Sequence, residues 1–327
     1  MRETKYLKVY CGRREKILDI KYSKKSFFQI VLEKKILLLM LFPAVSFTVI
    51  FSYIPMGGIV LAFKNYQYAD GIWGSPWIGM TNFNFLLLSG KLWPITRNTL
   101  LYNLAFIIIG MIFQIGFAII LSEVSGKYFK KVSQSSMFLP HFISWVVVAA
   151  IAYNVFNFEK GVTNNFLTSI GAGRINVYNT PELWPYILVF LKTWKGIGYG
   201  SVIFLAAISS LDQQMFEAAE IDGASIWQRI FRIIIPSLTP TIMIMLLLSL
   251  GGIFRGDFGL FYQLIKYNQI LLPSTDIIDT FVFRALMSSS DIGMASAAGL
   301  YQSVVCFLTI VFFNYCVKKA EPEYALY

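Results

Sequence analysis

Charge is what this sequence has least of. Lys, Arg, Asp and Glu make up 14% of its 327 residues, where a soluble chain carries about 25%. Charge is also missing in blocks. Ile36–Phe63, Asn98–Ser122, Val132–Phe158, Ile233–Phe254 and Ile292–Val317 hold no charged residue, and each exceeds the ~20 apolar residues that a helix needs to cross a bilayer core. The chain has a single histidine, His141, and three cysteines, Cys11, Cys306 and Cys316, without metal-ligand spacing. Neither a disulfide framework nor a redox pair follows from them, and no Ser/His/Asp set can be assembled around His141, which reads as a packing residue. A Gly-x-x-x-x-Gly-Lys-Ser/Thr loop is missing too, so ATP has no phosphate cradle here. Asp and Glu are absent from all five runs. Ion-coupled transporters generally place a carboxylate at mid-membrane, which argues against secondary transport.

What is present is apolar length. A sixth segment, Leu183–Leu211, is interrupted only by Lys192 and Lys195. Membrane β-barrels show short alternating strands rather than such blocks, so the fold expected is an all-α integral membrane protein of six transmembrane helices. Pro43 and Pro55 predict a kink or break in the first. Residues 1–35 carry eleven Lys/Arg, and the run behind them is too long for a signal-peptide core. With the amino terminus inside, eighteen Lys/Arg fall on inner segments and eight on outer ones, which places both termini in the cytoplasm. The net charge of +10 then reflects orientation rather than nucleic-acid binding. The organisation expected is a basic arm (1–35), a six-helix domain (36–317) and a cytoplasmic tail (318–327). In the arm, Lys8, Arg13, Arg14, Lys16, Lys21, Lys24 and Lys25 either lie against anionic membrane lipid or act only as a topology signal. Tyr66, Tyr68, Trp73, Trp77 and Trp93 in the first outer loop read as interfacial belt residues.

Between the fourth and fifth helices runs Glu217-Ala218-Ala219-Glu220-Ile221-Asp222-Gly223-Ala224-Ser225-Ile226-Trp227-Gln228-Arg229-Ile230-Phe231-Arg232-Ile233-Ile234-Ile235-Pro236. It reads as two short helices around a turn at Gly223, whose backbone is permissive. Leu211, Met215 and Ala218 share one face of the first helix, beside Phe216 and Ala219. In the second, Ile226, Ile230 and Ile233 recur beside Trp227, Phe231 and Ile234, with Gln228, Arg229 and Arg232 opposite. Pro236 is expected to start the fifth helix. A helix lying on the membrane would carry basic residues on its polar face. The first helix carries Asp212, Glu217, Glu220 and Asp222 instead.

This segment resembles the EAA loop of binding-protein-dependent ABC importer permeases, departing only at Ile235, where Leu is usual. Trp194-Lys195-Gly196-Ile197-Gly198 resembles the carbohydrate branch of that family. Asp276-Ile277-Ile278-Asp279-Thr280-Phe281-Val282-Phe283-Arg284 and Ala298-Gly299-Leu300-Tyr301-Gln302-Ser303 resemble its complex-oligosaccharide subgroup. The similarity covers about residues 30–320. It implies a MalG/MetI-like permease bundle in a bacterial cytoplasmic (inner) membrane. It also implies a coupling loop (209–235) in which Glu217, Ala218, Ala219, Glu220, Asp222, Gly223, Ala224 and Trp227 dock an ATPase. The implied partners are a homologous second permease, an ATPase dimer that binds ATP and Mg, and an extracytoplasmic solute-binding protein. The chain itself would hold no cofactor and catalyse nothing. The cargo implied is an oligosaccharide, acidic such as an alginate oligosaccharide, or else a neutral sugar. A multi-pass membrane enzyme is the remaining alternative, and the sequence offers it no catalytic set.

Candidate path residues are Lys192, Trp194, Lys195, Tyr199, Arg255, Asp257 and Arg284. Lys192 and Lys195 lie three apart, hence on one helix face, with Tyr199 one turn on. A lysine at mid-helix costs ~2.5–3.5 kcal/mol on insertion scales, so both should face a watery cavity, a partner group or the second subunit. Arg255 and Asp257 either meet cargo or pair with each other. Lys195 and Arg284 sit within family-like motifs and can equally serve structure.

Overall fold

The computed structural model describes residues 6–11 and 14–19 by their backbone, and residues 33–124, 126–288 and 290–320. The chain divides into two units between Gly57 and Gly58.

In the first unit, β1 (Tyr6–Cys11) and β2 (Arg14–Asp19) form an antiparallel hairpin. The side chains proposed for lipid contact, Lys8 to Lys25, lie outside the described residues. Helix α1 spans Lys35–Thr48 and passes through a wide π turn, Val49–Tyr53, into a tight 3-10 segment, Ile54–Phe63. The whole stretch Lys35–Phe63 is long and apolar enough to span. Pro55 cannot donate to the carbonyl of Phe51, and its ring would press on it. The interruption expected there takes the form of this change in winding.

In the second unit α2 (Leu92–Glu123), α3 (Lys127–Phe142), α4 (Trp145–Phe156), α5 (Trp184–Ser209), α6 (Gln213–Ile221), α7 (Ile226–Leu250), α8 (Phe258–Ile265), α9 (Ile278–Met287) and α10 (Ile292–Ala320) follow in order. Counting α1, five helices are long and apolar enough to cross a membrane, and α3 with α4 supplies a sixth as a bent pair. The third span is therefore not the single helix over Val132–Phe158 that its charge-free run suggests. The two halves meet at 95°. Pro140 lies in the last turn of α3, Ile143 is extended, and Ser144 starts a new helix by accepting a hydrogen bond from the Val147 amide. A missing donor followed by an N-cap residue is a stop and a restart.

The core follows the pattern of small and apolar residues on α2, α5 and α7. Near one end Ala118, Leu121, Phe204, Ile208, Ile234 and Leu238 interlock; near the other Tyr102, Trp184, Leu188, Leu260 and Phe261 do so. Buried polar groups on α2 fix the segment before α9. Asn98 donates to the carbonyls of Pro273 and Asp276 (both 3.1 Å), Tyr102 to that of Ser274 (2.8 Å), and the Ile278 amide donates to Thr99 (3.0 Å). Each pairs a buried donor or acceptor that would otherwise be costly. Trp93 is exposed in the first turn of α2, and the loop before that helix exposes Tyr68, Trp73 and Trp77. That loop is locked by a fully buried Lys64, whose ammonium donates to the carbonyls of Ile72 and Trp73.

Candidate translocation site and coupling surface

The break in the third span gathers the polar groups. The last carbonyls of α3 have no intrahelical donors, and Lys195 of α5 donates to that of His141 at 2.5 Å. A cation at a helix C-terminus also complements the dipole. The His141 ring stacks on Tyr199, with centroids 4.4 Å apart and planes 8° off parallel. On the far side of the break, the first residue of α4 is Trp145. Its indole lies 5.3 Å beneath the Lys195 ammonium, and its N–H donates to Asp257 at 3.1 Å.

Asp257 is the hub. One carboxylate oxygen accepts from Trp145 and from the Lys192 ammonium at 2.6 Å; the other accepts from the Leu260 amide at 3.2 Å and so caps α8. The pairing of Asp257 with Arg255 considered above does not occur. Lys192, 65 positions earlier, takes that place, and Arg255 is exposed. The loop is held by Gly256, whose amide donates to Asp279 at 2.7 Å, while Gln302 donates to Asp279 at 3.0 Å and to the Phe254 carbonyl at 2.7 Å. A Cβ on Gly256 would stand 2.2 Å from the tip of the Ile277 side chain and 3.0 Å from an Asp279 carboxylate oxygen, so a larger residue here requires both side chains to shift.

Five of the candidate path residues relate to this cluster and two are engaged elsewhere. Lys192, Lys195 and Asp257 form it, Tyr199 flanks it through His141, and Arg255 leads into it. Trp194 instead lines apolar recesses of about 490 and 320 Å³, with Phe190 common to both. Arg284 forms a two-pronged ion pair with Asp276 within its own motif, where Thr280 also donates to Asp276. Trp145 and Phe106, the latter 5.9 Å from the Lys192 ammonium, belong to the site and were not anticipated. Pro140 followed by Ser144 was the available signal for Trp145.

At the opposite end, Asp212 caps α6 through the Gln214 amide, and Gly223 turns the chain with φ +71°. Ser225 and Gln228 form a reciprocal capping box that starts α7. The second helix of this loop does not stop before Pro236. It runs unbroken into the fifth span, widened to a π turn at Ile230–Ile234. That wide turn relieves the clash of Pro236 with the carbonyl of Arg232. The apolar residues divide between two directions: Ile234 is buried and Ile230 half-buried, while Ile221, Ile226, Trp227 and Phe231 are exposed. On α6, Phe216 packs inward and Met215 and Ala218 face out. Glu217, Glu220 and Asp222 are exposed. Arg229 is turned inward, pairing with Glu123 at the end of α2 at 2.7 Å. Beside this pair Lys130, Gln213, Glu217 and Glu220 line a polar hollow of about 420 Å³.

Residues 114–321 match the family described as binding-protein-dependent transport system inner membrane component. The chain belongs to that family. It is a multi-pass permease subunit of an ABC importer and not an enzyme. Protein LplB of Bacillus subtilis (strain 168) is 31% identical over 88% of this chain and 90% of its own length. The polygalacturonan/rhamnogalacturonan transport system permease protein YteP of the same organism is 29% identical over 93% of this chain and 94% of its own. A chain of the crystal structure of a bacterial alginate ABC transporter, in complex with alginate pentasaccharide-bound periplasmic protein, superposes with a TM-score of 0.81. It is 30% identical and is covered over 98% of its length by 90% of this chain. The six-helix permease reading of the sequence agrees with these likenesses.

Proposed function

We propose that this permease carries an oligosaccharide bearing uronate carboxylates, received from an external binding protein, along a path that passes the break in its third span. The observation that carries this reading is the Lys192, Lys195 and Trp145 cluster. Two ammonium groups gather at an indole whose face lies under Lys195 and whose N–H is held by Asp257, with the Lys192 side chain 38% exposed. Sugars stack on aromatic faces, and carboxylates take charge-assisted bonds from ammonium and indole N–H. One similar permease is named for polygalacturonan/rhamnogalacturonan transport, and one similar solved transporter is described as importing the acidic polysaccharide alginate.

The remaining assembly follows the family scheme. A second permease completes the path. A pair of ATPase subunits binds ATP and Mg and docks on Glu217, Ala218, Ala219, Glu220, Asp222, Gly223, Ala224 and Trp227, while both termini lie in the cytoplasm. The exposed carboxylates and exposed Trp227 support this docking surface. Closure of the ATPases must favour one helix arrangement over another for transport to follow.

The test is uptake by the reconstituted complex, comparing an oligouronate with its carboxyl-reduced, neutral counterpart of equal length. Lys192→Gln should slow oligouronate uptake about tenfold, the worth of one charge-assisted contact, and change neutral uptake little. Equal losses for the two cargoes would mean that the lysine only holds helices together.

A further inference from the structure

We infer that Asp257 is a placeholder for the cargo: its carboxylate occupies the seat of an incoming uronate, which displaces it from Lys192. The inference rests on the acidic-cargo reading above and adds a specificity-determining residue to it.

The seat is built for a carboxylate. One oxygen of Asp257 receives the Lys192 ammonium at 2.6 Å and the Trp145 indole N–H at 3.1 Å. Helix α8 packs against that indole so closely that a Cβ on Gly259 would lie 2.8 Å from it, which fixes the direction of the donor. A uronate presents the same group with the same acceptor geometry.

The present occupant is also free to leave. Its second oxygen caps α8 through the Leu260 amide, so Asp257 keeps a partner after release. The pair is reachable, with side chains 38% and 22% exposed, whereas Arg284 and Asp276 are 18% and 13% exposed. A lysine holds its partner as a point charge through one contact, while the arginine fork of Arg284 grips Asp276 at two points. Exchanging one carboxylate for another leaves Lys192 paired throughout. A neutral sugar offers no replacement charge, and Asp257 stays.

The two halves of the pair should therefore act in opposite directions, which no purely structural ion pair does. Asparagine and serine are both good helix N-caps, so Asp257→Asn and Asp257→Ser each remove the charge while sparing the start of α8. In proteoliposomes holding the full complex, supplied with binding protein at saturation and a linear oligouronate, both variants should raise the uptake rate severalfold. Lys192→Gln should lower it by about tenfold, and the double variant should match Lys192→Gln. Melting temperatures confirm which variants fold. Unchanged or slower uptake in the folded Asp257 variants, or rescue in the double variant, overturns the inference and leaves the acidic-cargo reading intact. Failure of the wild-type complex to import any oligouronate overturns both.

Discussion

Gly198 in α5 lies so close to Met137 in α3 that a Cβ built on it would stand 2.0 Å from the Met137 carbonyl oxygen. Two residues further on, a Cβ on Gly200 would meet the Gln114 side chain of α2 at 2.2 Å, whereas one on Gly196 would be 3.9 Å from its nearest neighbour. A glycine ladder thus lets the fourth span touch backbone on one side and a long polar side chain on the other. Gly198→Ala should destabilise the complex by about 1–3 kcal/mol, because backbone cannot give way as a flexible side chain does. Gly196→Ala should be neutral or stabilising by up to about 1 kcal/mol from helix propensity. Thermal unfolding of the solubilised complex measures both, and equal melting temperatures for the two variants would refute the packing argument.

The coupling loop makes a separate prediction. A Cβ on Gly223 would meet no atom within 4 Å, yet its φ is +71°, so any cost of substitution there is backbone strain of about 1–2 kcal/mol. Gly223→Leu and Glu217→Lys should each leave the chain in the membrane while abolishing cargo-stimulated ATP hydrolysis. Full transport in both variants would remove the docking assignment.

Topology can be tested at positions that the structure leaves open. Gly171 lies in a turn with φ of +73° and no neighbour within 4 Å of a built Cβ, so a short insertion should be tolerated there. Gly71, with φ of +66°, is as uncrowded, but its carbonyl accepts from Ser75 beside the carbonyls that hold Lys64. An insertion at Gly71 should therefore report its side at some cost in stability. Reporters there should be external, and one fused after Tyr327 cytoplasmic. An external carboxy terminus would contradict the six-span count.

Asp279 supplies a prediction in pH. Burial pushes its carboxyl above the usual range, partly offset by the hydrogen bonds from Gly256 and Gln302 and by Arg255. An acid whose pKa is higher folded than unfolded stabilises the fold most below its ordinary range, and that stability is lost as pH rises through the raised value. Asp279→Asn removes this loss. The variant should melt no lower than wild type at neutral pH, with any advantage shrinking in mild acid. A variant less stable at neutral pH than in acid, relative to wild type, would show that the ionised form is the one the site favours.

The spans were legible because lipid forbids scattered charge: runs such as Ile233–Phe254 declare themselves by length. The coupling segment was legible as an ordered motif. Other features depend on packing between distant residues, which periodicity does not encode. The break between Phe142 and Trp145 separates two halves of one charge-free run, marked only by Pro140 and Ser144. Asp257 finds Lys192 rather than its near neighbour Arg255 because α8 and α5 converge there. Arg229, on the polar side of its helix by sequence, is drawn inward by Glu123. The apolar stripe of the coupling helix is wide enough to serve two directions at once, and sequence alone did not separate them.

The unbroken course of α7 has a mechanical meaning. Ser225 and Leu250 are the two ends of one rod, 25 residues beyond the cap and therefore about 37 Å long. Its far end leads within a few residues to Asp257. If an ATPase docks at the Gly223 turn, a push there would reach the neighbourhood of the Lys192 pair along continuous backbone, without a relay of side chains. The rod departs from regular α winding at Ile230–Ile234 and loses one backbone donor at Pro240.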